Sequence, residues 1–116
     1  MDNMERVALK DRHCRPCRGG MSPMSDDEVA RHLAMTPAWR REGLGIVRAF
    51  AFTNYDQTVA FVHAVTEIAR REDHHPEIAF GYRTCTVRYH THAAGGLTEN
   101  DFICAAKIDE AAAGAH

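Results

Sequence analysis

The spacing of apolar residues changes along this chain, and that change restricts the fold more than any other feature. Between Asn54 and His75 the apolar side chains recur every three or four positions, which is the pattern of one face of an amphipathic helix. In the segments before and after it, apolar residues alternate with polar or small ones, which is the pattern of strands. The sequence therefore predicts one long helix between two groups of strands.

Two further helices are predicted from their capping residues. Ser25 and Glu28 form a capping-box pattern that begins a helix, and Pro37 ends that helix. Thr98 caps the last helix, and Asp101 lies in its first turn near the positive end of the helix dipole. Four strands are predicted between the helices, at residues 39–42, 46–52, 77–82 and 84–92.

The predicted order of elements is α-β-β-α-β-β-α. Strands linked in pairs and interleaved with helices indicate an α+β domain, in which an antiparallel sheet is covered on one face by helices. We expect residues 1–24 to form an N-terminal arm, partly ordered and laid over the core, and residues 25–116 to form the domain. Because four strands leave two open edges, pairing with further copies of the chain is expected.

Composition limits the class of function. The 116 residues are enough for one domain with one core. The net charge of −2 lacks the basic excess of a nucleic-acid-binding protein, so no direct nucleic-acid partner is expected. No apolar run approaches the ~20 residues that span a bilayer, and residues 1–10 hold no continuous apolar segment of the kind found in signal peptides. We therefore expect a cytoplasmic protein without a membrane partner.

Histidines are the residues that most suggest chemistry. His74 and His75 lie at the exit of the long helix, whose end is marked by His75 and Pro76. His92 lies at the far end of the last predicted strand, on the polar face opposite Cys85, Val87, Tyr89 and Thr91. Clustered imidazoles suit proton transfer at neutral pH, because their ordinary pKa is about 6.5. On spacing alone, a catalytic site and an ordinary polar turn both remain open.

Metal binding is the alternative use of these side chains. Zinc ligands could come from His74, His75, His90 and His92. Adjacent histidines usually point apart, however, and the spacing matches no familiar zinc motif. We therefore predict no metal site at the histidines.

Cysteines form a second motif, since Cys14 and Cys17 make a CxxC sequence beside His13. A single CxxC is either redox-active or half of a zinc site, but the chain has no second CxxC and no thioredoxin-like βαβ pattern. We interpret the motif as two reduced thiols in a flexible arm. Cys85 and Cys104 are interpreted as packing residues.

Three stretches of the sequence resemble the signature of the pterin-4a-carbinolamine dehydratases. They are Asp73-His74-His75-Pro76-Glu77 with the aromatic Tyr82 after it, Thr91-His92, and Gly95-Gly96-Leu97-Thr98-Glu99-Asn100-Asp101. Upstream, Pro37-Ala38-Trp39 and Phe50-Ala51-Phe52-Thr53-Asn54-Tyr55 are similar to the family's strand entry and its strand-to-helix segment. The likeness runs from Ser25 to Ile108.

The resemblance implies a fold and a reaction. The fold is a four-stranded antiparallel sheet with three helices on one face, assembled as a homodimer or homotetramer. The reaction is the dehydration of 4a-hydroxytetrahydrobiopterin to quinonoid dihydropterin, which recycles the cofactor of aromatic amino acid hydroxylases. Neither a metal nor a cofactor of the protein's own is implied.

The resemblance also implies roles for single residues. His74, His75 and His92 match the family's active-site histidines, and Asp101 matches an acidic position of the family. The segments that hold the pterin correspond to Asp73, His74, His75, His90, Thr91, His92 and Ala93. We expect acid–base elimination, in which one histidine protonates the departing hydroxyl and another accepts a ring-nitrogen proton. His75 and His92 are expected to contact the substrate, with His74 as their partner.

One position departs from the family pattern. Four residues before the first histidine of the pair, the family usually has an acidic residue, and this chain has Arg70. We expect Glu72 or Asp73 to supply the missing charge, because a carboxylate beside a histidine raises its pKa.

Two other classes of function remain open from the sequence. The first is a non-catalytic binding module on the same fold, such as a transcriptional cofactor or an assembly chaperone, since a fold does not determine a function. The second is a zinc-bound regulatory module built on His13, Cys14 and Cys17.

Overall fold

A computed structural model describes residues 7–16 and 21–114 of the chain. The order of elements and the α+β class are as predicted. The elements are α1 (Asp26–Met35), β1 (Arg40–Glu42), β2 (Gly45–Ala51), α2 (Tyr55–Glu72), β3 (Glu77–Phe80), β4 (Thr84–Tyr89) and α3 (Glu99–Ala113), with short 3-10 turns at Leu9–Asp11 and His92–Ala94.

The strands form one antiparallel sheet in the order β1-β2-β4-β3. The two central strands pair Ile46 with Tyr89 and Phe50 with Cys85. Because residues paired directly across two strands share a face, this register places four large or apolar side chains on one side of the sheet.

That side of the sheet carries the core. Val87 of β4 packs in one buried cluster with Phe61 and Val65 of α2 and with Phe102 and Ile108 of α3. Burying a side chain of this size stabilises the fold by roughly 1.5–3 kcal/mol. The predicted helix stripe and the predicted apolar strand face therefore meet, and the three described helices lie on one face of the sheet.

The predicted helix starts are confirmed. The hydroxyl of Ser25 accepts the backbone N–H of Glu28, and the Glu28 carboxylate accepts the backbone N–H of Ser25. Asn54 caps α2 by accepting the backbone N–H of Gln57. These bonds satisfy N–H groups that have no partner within the helix.

The end of α2 differs by a few residues from the prediction. The helix ends at Glu72 rather than at His75 and Pro76, because Asp73 adopts the left-handed conformation with φ 50° and ψ 44°. Asp is one of the few non-glycine residues that visit this region routinely. The reversal at Asp73 turns the chain before His74, so the two adjacent histidines leave the helix in different environments.

The last strand is also shorter than predicted, since it ends at Tyr89 rather than His92. The register explains this end: β2 begins at Gly45, and its pairing with β4 extends only to Ile46 and Tyr89. A Cβ on Gly45 would lie 2.8 Å from the Tyr89 carbonyl oxygen, so the close approach there requires glycine. β1 begins at Arg40 and β3 ends at Phe80, each inside its predicted range.

Part of the predicted arm lies against the domain. Leu9 is buried in the core, the Lys10 ammonium lies 2.7 Å from the Glu110 carboxylate, and Lys107 donates to the Lys10 carbonyl oxygen. Cys17, on which the CxxC interpretation depends, lies outside the described residues. In residues 7–16 and 21–114, none of the helices has the length and apolar character needed to cross a membrane.

Candidate active site

His74 is buried, and its ring has two neighbours that fix it. Its Nε2 lies 2.6 Å from Oδ1 of Asp101, in the first turn of α3. On its flat side the ring stacks on Tyr89 of β4, with ring centroids 5.1 Å apart and planes at 15°. A ring held at its edge and on its face has one orientation, so His74 is a rigid part of the site.

Asp101 is completely buried, and both of its carboxylate oxygens are used. Oδ1 faces His74, while Oδ2 accepts the Thr91 hydroxyl at 2.8 Å and the Thr98 backbone N–H at 2.9 Å. The bond to Thr98 follows from the sequence, because a residue at the third helical position reaches back to its N-cap. The bonds to His74 and Thr91 make Asp101 a bridge between two separate segments of the chain.

The charge of this carboxylate changes the acidity of His74. Burial by itself would lower the pKa of His74, but the hydrogen bond and the negative charge of Asp101 outweigh it and raise that pKa above its ordinary value. His74 is therefore biased toward the charged form, which donates to Asp101. We expect such a group to hold its neighbours in place rather than to exchange protons freely with a substrate.

The backbone of His74 is held as firmly as its ring. Its N–H donates to the Ala69 carbonyl oxygen at 3.1 Å, and its carbonyl oxygen accepts the Tyr89 hydroxyl at 3.0 Å. Burial raises the pKa of Tyr89 above its ordinary value, so the hydroxyl stays protonated and remains a donor. The turn that carries His75 is thus anchored to the sheet.

His75 points the opposite way from His74, as predicted for adjacent histidines. Its side chain is 72% exposed, and its Nε2 lies 4.0 Å from Oδ1 of Asp73. Since Asp73 is itself 95% exposed, this pair contributes little to stability. His75 is instead open to a ligand that approaches from solvent.

The segment after β4 continues the inward and outward alternation for three residues. Thr91 is buried against Asp101, while His92 is exposed and His90 is half-buried. The rings of His90 and His92 lie 6.1 Å apart, nearly perpendicular. Ala93 is exposed beside them. The predicted substrate-binding residues therefore divide into buried His74 and Thr91, half-buried His90, and a set open to solvent: Asp73, His75, His92 and Ala93.

Of the two carboxylates near Arg70, Asp73 lies beside a histidine of the pair and Glu72 does not. Arg70 is exposed and forms an ion pair with Glu67 at 2.7 Å. Glu72 faces the N-terminal arm, where it accepts the Cys14 backbone N–H at 2.7 Å. That Asp73 replaces the missing acidic residue stays a prediction.

Within residues 7–16 and 21–114, no group of three or more His, Cys, Asp or Glu side chains is placed to hold a metal ion. The proposed ligand set of His13, Cys14 and Cys17 falls partly outside the described residues.

Sequence reasoning missed two residues that build the site, Tyr89 and Thr98. Tyr89 was assigned to the apolar strand face, where it does lie, but its hydroxyl and ring also position His74. Thr98 was recognised as a cap, whereas its hydroxyl also lies 2.7 Å from that of Thr91. A buried tyrosine or threonine needs a partner for its hydroxyl, and that requirement was the available signal.

The fold and these residues define a class. The protein is an α+β domain of the pterin dehydratase type, with its histidines where α2 and β4 end. Residues 22–111 match the family model described as pterin 4 alpha carbinolamine dehydratase, and the chain belongs to that family.

Relatives in sequence agree with this assignment. A protein of Nitrosospira multiformis is 52% identical over 101 residues, covering 87% of this chain and 89% of its own. A protein of Dechloromonas aromatica is 45% identical over 102 residues, which cover 88% of this chain and 91% of that protein. Both carry the provisional name pterin-4-alpha-carbinolamine dehydratase.

Two solved structures resemble the fold. A transcriptional coactivator/pterin dehydratase of Brucella melitensis has a TM-score of 0.76 and 27% identity, covering 78% of this chain and 99% of that protein. A pterin dehydratase-like protein, identified as a RuBisCO assembly factor in the alpha-carboxysome, has a TM-score of 0.55 and 25% identity, covering 64% and 86%.

Proposed function

We propose that this protein dehydrates 4a-hydroxytetrahydrobiopterin to quinonoid dihydropterin and water. The observation that carries the proposal is the bridge made by Asp101. This carboxylate binds His74, which precedes His75, and Thr91, which precedes His92. One buried group thus ties together the two segments that carry the exposed histidines.

The exposed histidines are proposed to carry out the chemistry. One of His75 and His92 donates a proton to the 4a-hydroxyl as the carbon–oxygen bond breaks and water leaves. The other accepts the proton of the neighbouring ring nitrogen, whose electron pair forms the new carbon–nitrogen double bond. General acid–base catalysis by a positioned side chain contributes about 10²–10⁴-fold to a rate.

The buried pair is proposed to act by position. The side chain of His74 is 8% exposed and that of Asp101 is not exposed at all, so neither is open to solvent as His75 is. Their contribution is to fix the geometry in which the exposed histidines meet the substrate. Asp73, His90, Thr91 and Ala93 complete the proposed pterin-binding surface.

The wider role also belongs to the proposal. The scheme uses side chains alone, and its product is the oxidised pterin that is reduced again to regenerate the cofactor of aromatic amino acid hydroxylases.

A homodimer or homotetramer stays a prediction, supported by the two open edges of the sheet at β1 and β3. A cytoplasmic location stays a prediction as well.

Stopped-flow spectroscopy tests the proposal. The 4a-hydroxytetrahydropterin is generated in place, and its ultraviolet decay is followed with the intact protein and with His92→Ala. The intact protein should accelerate the decay, and His92→Ala should reduce that acceleration by ~10²-fold or more. His63→Ala is the matched control, because His63 is also exposed but lies in the middle of α2. Decay at the uncatalysed rate with folded protein would refute the dehydratase.

One observation favours a second candidate, a non-catalytic binding module. Arg70 replaces the usual acidic residue and pairs with Glu67 on the surface of α2. A neighbouring structure of the same fold is identified as an assembly factor rather than an enzyme. If the stopped-flow assay shows no acceleration, this candidate replaces the dehydratase, and a search for protein partners follows.

A further inference from the structure

Two cysteines far apart in sequence meet where the N-terminal arm crosses α3. Sγ of Cys14 lies 3.5 Å from Sγ of Cys104, although 90 positions separate them in the chain. The Cys14 thiol is also 3.6 Å from the Asn100 carbonyl oxygen, one turn earlier in α3. Two sulfur atoms at this separation are in van der Waals contact, and a disulfide requires them to approach to about 2.05 Å.

Backbone hydrogen bonds on both sides of Cys14 hold it in this position. The Cys14 N–H donates to the Glu72 carboxylate at 2.7 Å. The next residue, Arg15, exchanges two hydrogen bonds with the Asn100 side chain, at 2.9 Å and 2.7 Å. The arm therefore presents the Cys14 thiol to Cys104 as a stable feature of the fold and not as a chance encounter.

The two thiols differ in accessibility in the way that a reactive pair requires. Cys14 is half-buried, so a small oxidant reaches it, whereas Cys104 is completely buried. Cys85 is also completely buried, on the sheet. Oxidation therefore begins at Cys14, and Cys104 is the thiol in contact with it that is available to react next.

We propose that Cys14 and Cys104 are a redox-modification site, at which a peroxide converts the two thiols into a reversible disulfide that fastens the arm to α3. This site is separate from the proposed dehydration and does not depend on it. Cys14 and Arg15 are held by polar contacts with Glu72 and Asn100, so a local shift of this part of the arm brings the two sulfur atoms together while Leu9 stays in the core.

The reaction balances in two steps. The Cys14 sulfur attacks one oxygen of hydrogen peroxide, the O–O bond breaks, and the products are a sulfenic acid and water. The Cys104 sulfur then attacks the Cys14 sulfur, the S–S bond forms, and the hydroxyl group leaves as a second water with the proton of Cys104. Two thiols are oxidised by two electrons, and one peroxide is reduced to two waters.

Local electrostatics support the second step. In the reduced protein the hydrogen bond from the Cys14 thiol lowers the pKa of Cys104 against the opposing effect of burial, and it raises the pKa of Cys14. That bond is lost when Cys14 becomes a sulfenic acid, but the Tyr89 hydroxyl and the charge of His74 still lower the pKa of Cys104. A sulfur with more thiolate character is the better attacking group.

Peptide mapping of the oxidised protein tests the site. The reduced full chain is treated with stoichiometric hydrogen peroxide, quenched with an alkylating agent and digested. The expected product is a peptide pair that joins Cys14 to Cys104, formed within one chain and removed by dithiothreitol. Cys17→Ser should give the same pair, and Cys14→Ser should abolish it. A disulfide between Cys14 and Cys17, or between chains, would overturn the proposal.

Thermal unfolding supplies a second measurement. A crosslink between residues 90 positions apart removes much of the conformational freedom of the unfolded chain. Oxidation should therefore raise the Tm of the intact protein by about 10 °C. The Tm of Cys14→Ser should be the same before and after peroxide. An equal increase in Cys14→Ser, or no increase in the intact protein, would contradict the crosslink.

Discussion

His74 and His75 are neighbours in sequence and opposites in environment. The His74 side chain is 8% exposed and bonded to a buried carboxylate, whereas the His75 side chain is 72% exposed beside a carboxylate in solvent. The left-handed turn at Asp73 separates them. The comparison teaches that residue type alone does not assign a role: burial fixes the ring of one histidine in place, and exposure leaves the other open to solvent.

The same division runs through the segment after β4. Thr91 is buried and bonded to Asp101, and His92 is exposed. Asp101 thus supports two pairs of residues, each with an inner member that fixes position and an outer member that faces solvent. We therefore expect changes to the inner members mainly to reduce stability, and changes to the outer members mainly to reduce turnover.

The largest effect on stability is expected from Asp101→Ala. The change leaves the His74 imidazole, the Thr91 hydroxyl and the Thr98 N–H without their shared acceptor. Removing one partner of a buried pair should lower the free energy of unfolding by about 3–5 kcal/mol. Urea denaturation measures the loss. Asp73→Asn is the control and should change the value by less than about 0.5 kcal/mol, because Asp73 is exposed and asparagine also adopts the left-handed conformation found there.

Tyr89→Phe should have an intermediate effect. Phenylalanine retains the stacking on His74 but leaves the His74 carbonyl oxygen without its donor. Leaving a buried acceptor unsatisfied should lower the free energy of unfolding by about 1–3 kcal/mol. Urea denaturation of Tyr89→Phe beside Tyr55→Phe, where the ring is exposed, separates the hydrogen bond from general effects of losing a hydroxyl. Equal losses in the two variants would remove Tyr89 from the network.

The smallest change in stability is expected from a change of pH, because burial lowers the pKa of His74 while Asp101 raises it. The pKa of His74 is raised in the folded state, so protonation stabilises the fold fully below the ordinary value of 6.5. That contribution is lost as the pH increases from 6.5 through the higher pKa of the folded state. The free energy of unfolding of the intact protein, minus that of His74→Gln, should decrease as the pH increases through this range. A difference that grows with pH would mean that His74 is held neutral.

The sequence predicted the periodic parts of the fold because each depends on neighbours in the chain. The caps at Ser25 and Asn54 and the stripe of α2 are local patterns, and all are present. The predicted end of β4 was wrong by three residues. The strand ends where its pairing with β2 ends, and the residues of β4 alone do not reveal that point.

Several residues of the candidate site were predictable from the sequence, but their environments were not. The resemblance picked out His74, His75, His92 and Asp101, but it did not reveal which were buried. The contact of Cys14 with Cys104 had no local signal, because it depends on where the arm crosses α3. Both outcomes are set by tertiary packing, which a periodic pattern does not encode.

The most direct test measures turnover and unfolding of His75→Ala on the same preparation. Because His75 is exposed and proposed to transfer a proton, the stopped-flow rate should fall by ~10²-fold or more, while the free energy of unfolding changes by less than about 0.5 kcal/mol. A variant that keeps nearly the full rate, or that loses rate only because it unfolds, would contradict the division between an anchoring and a reacting histidine.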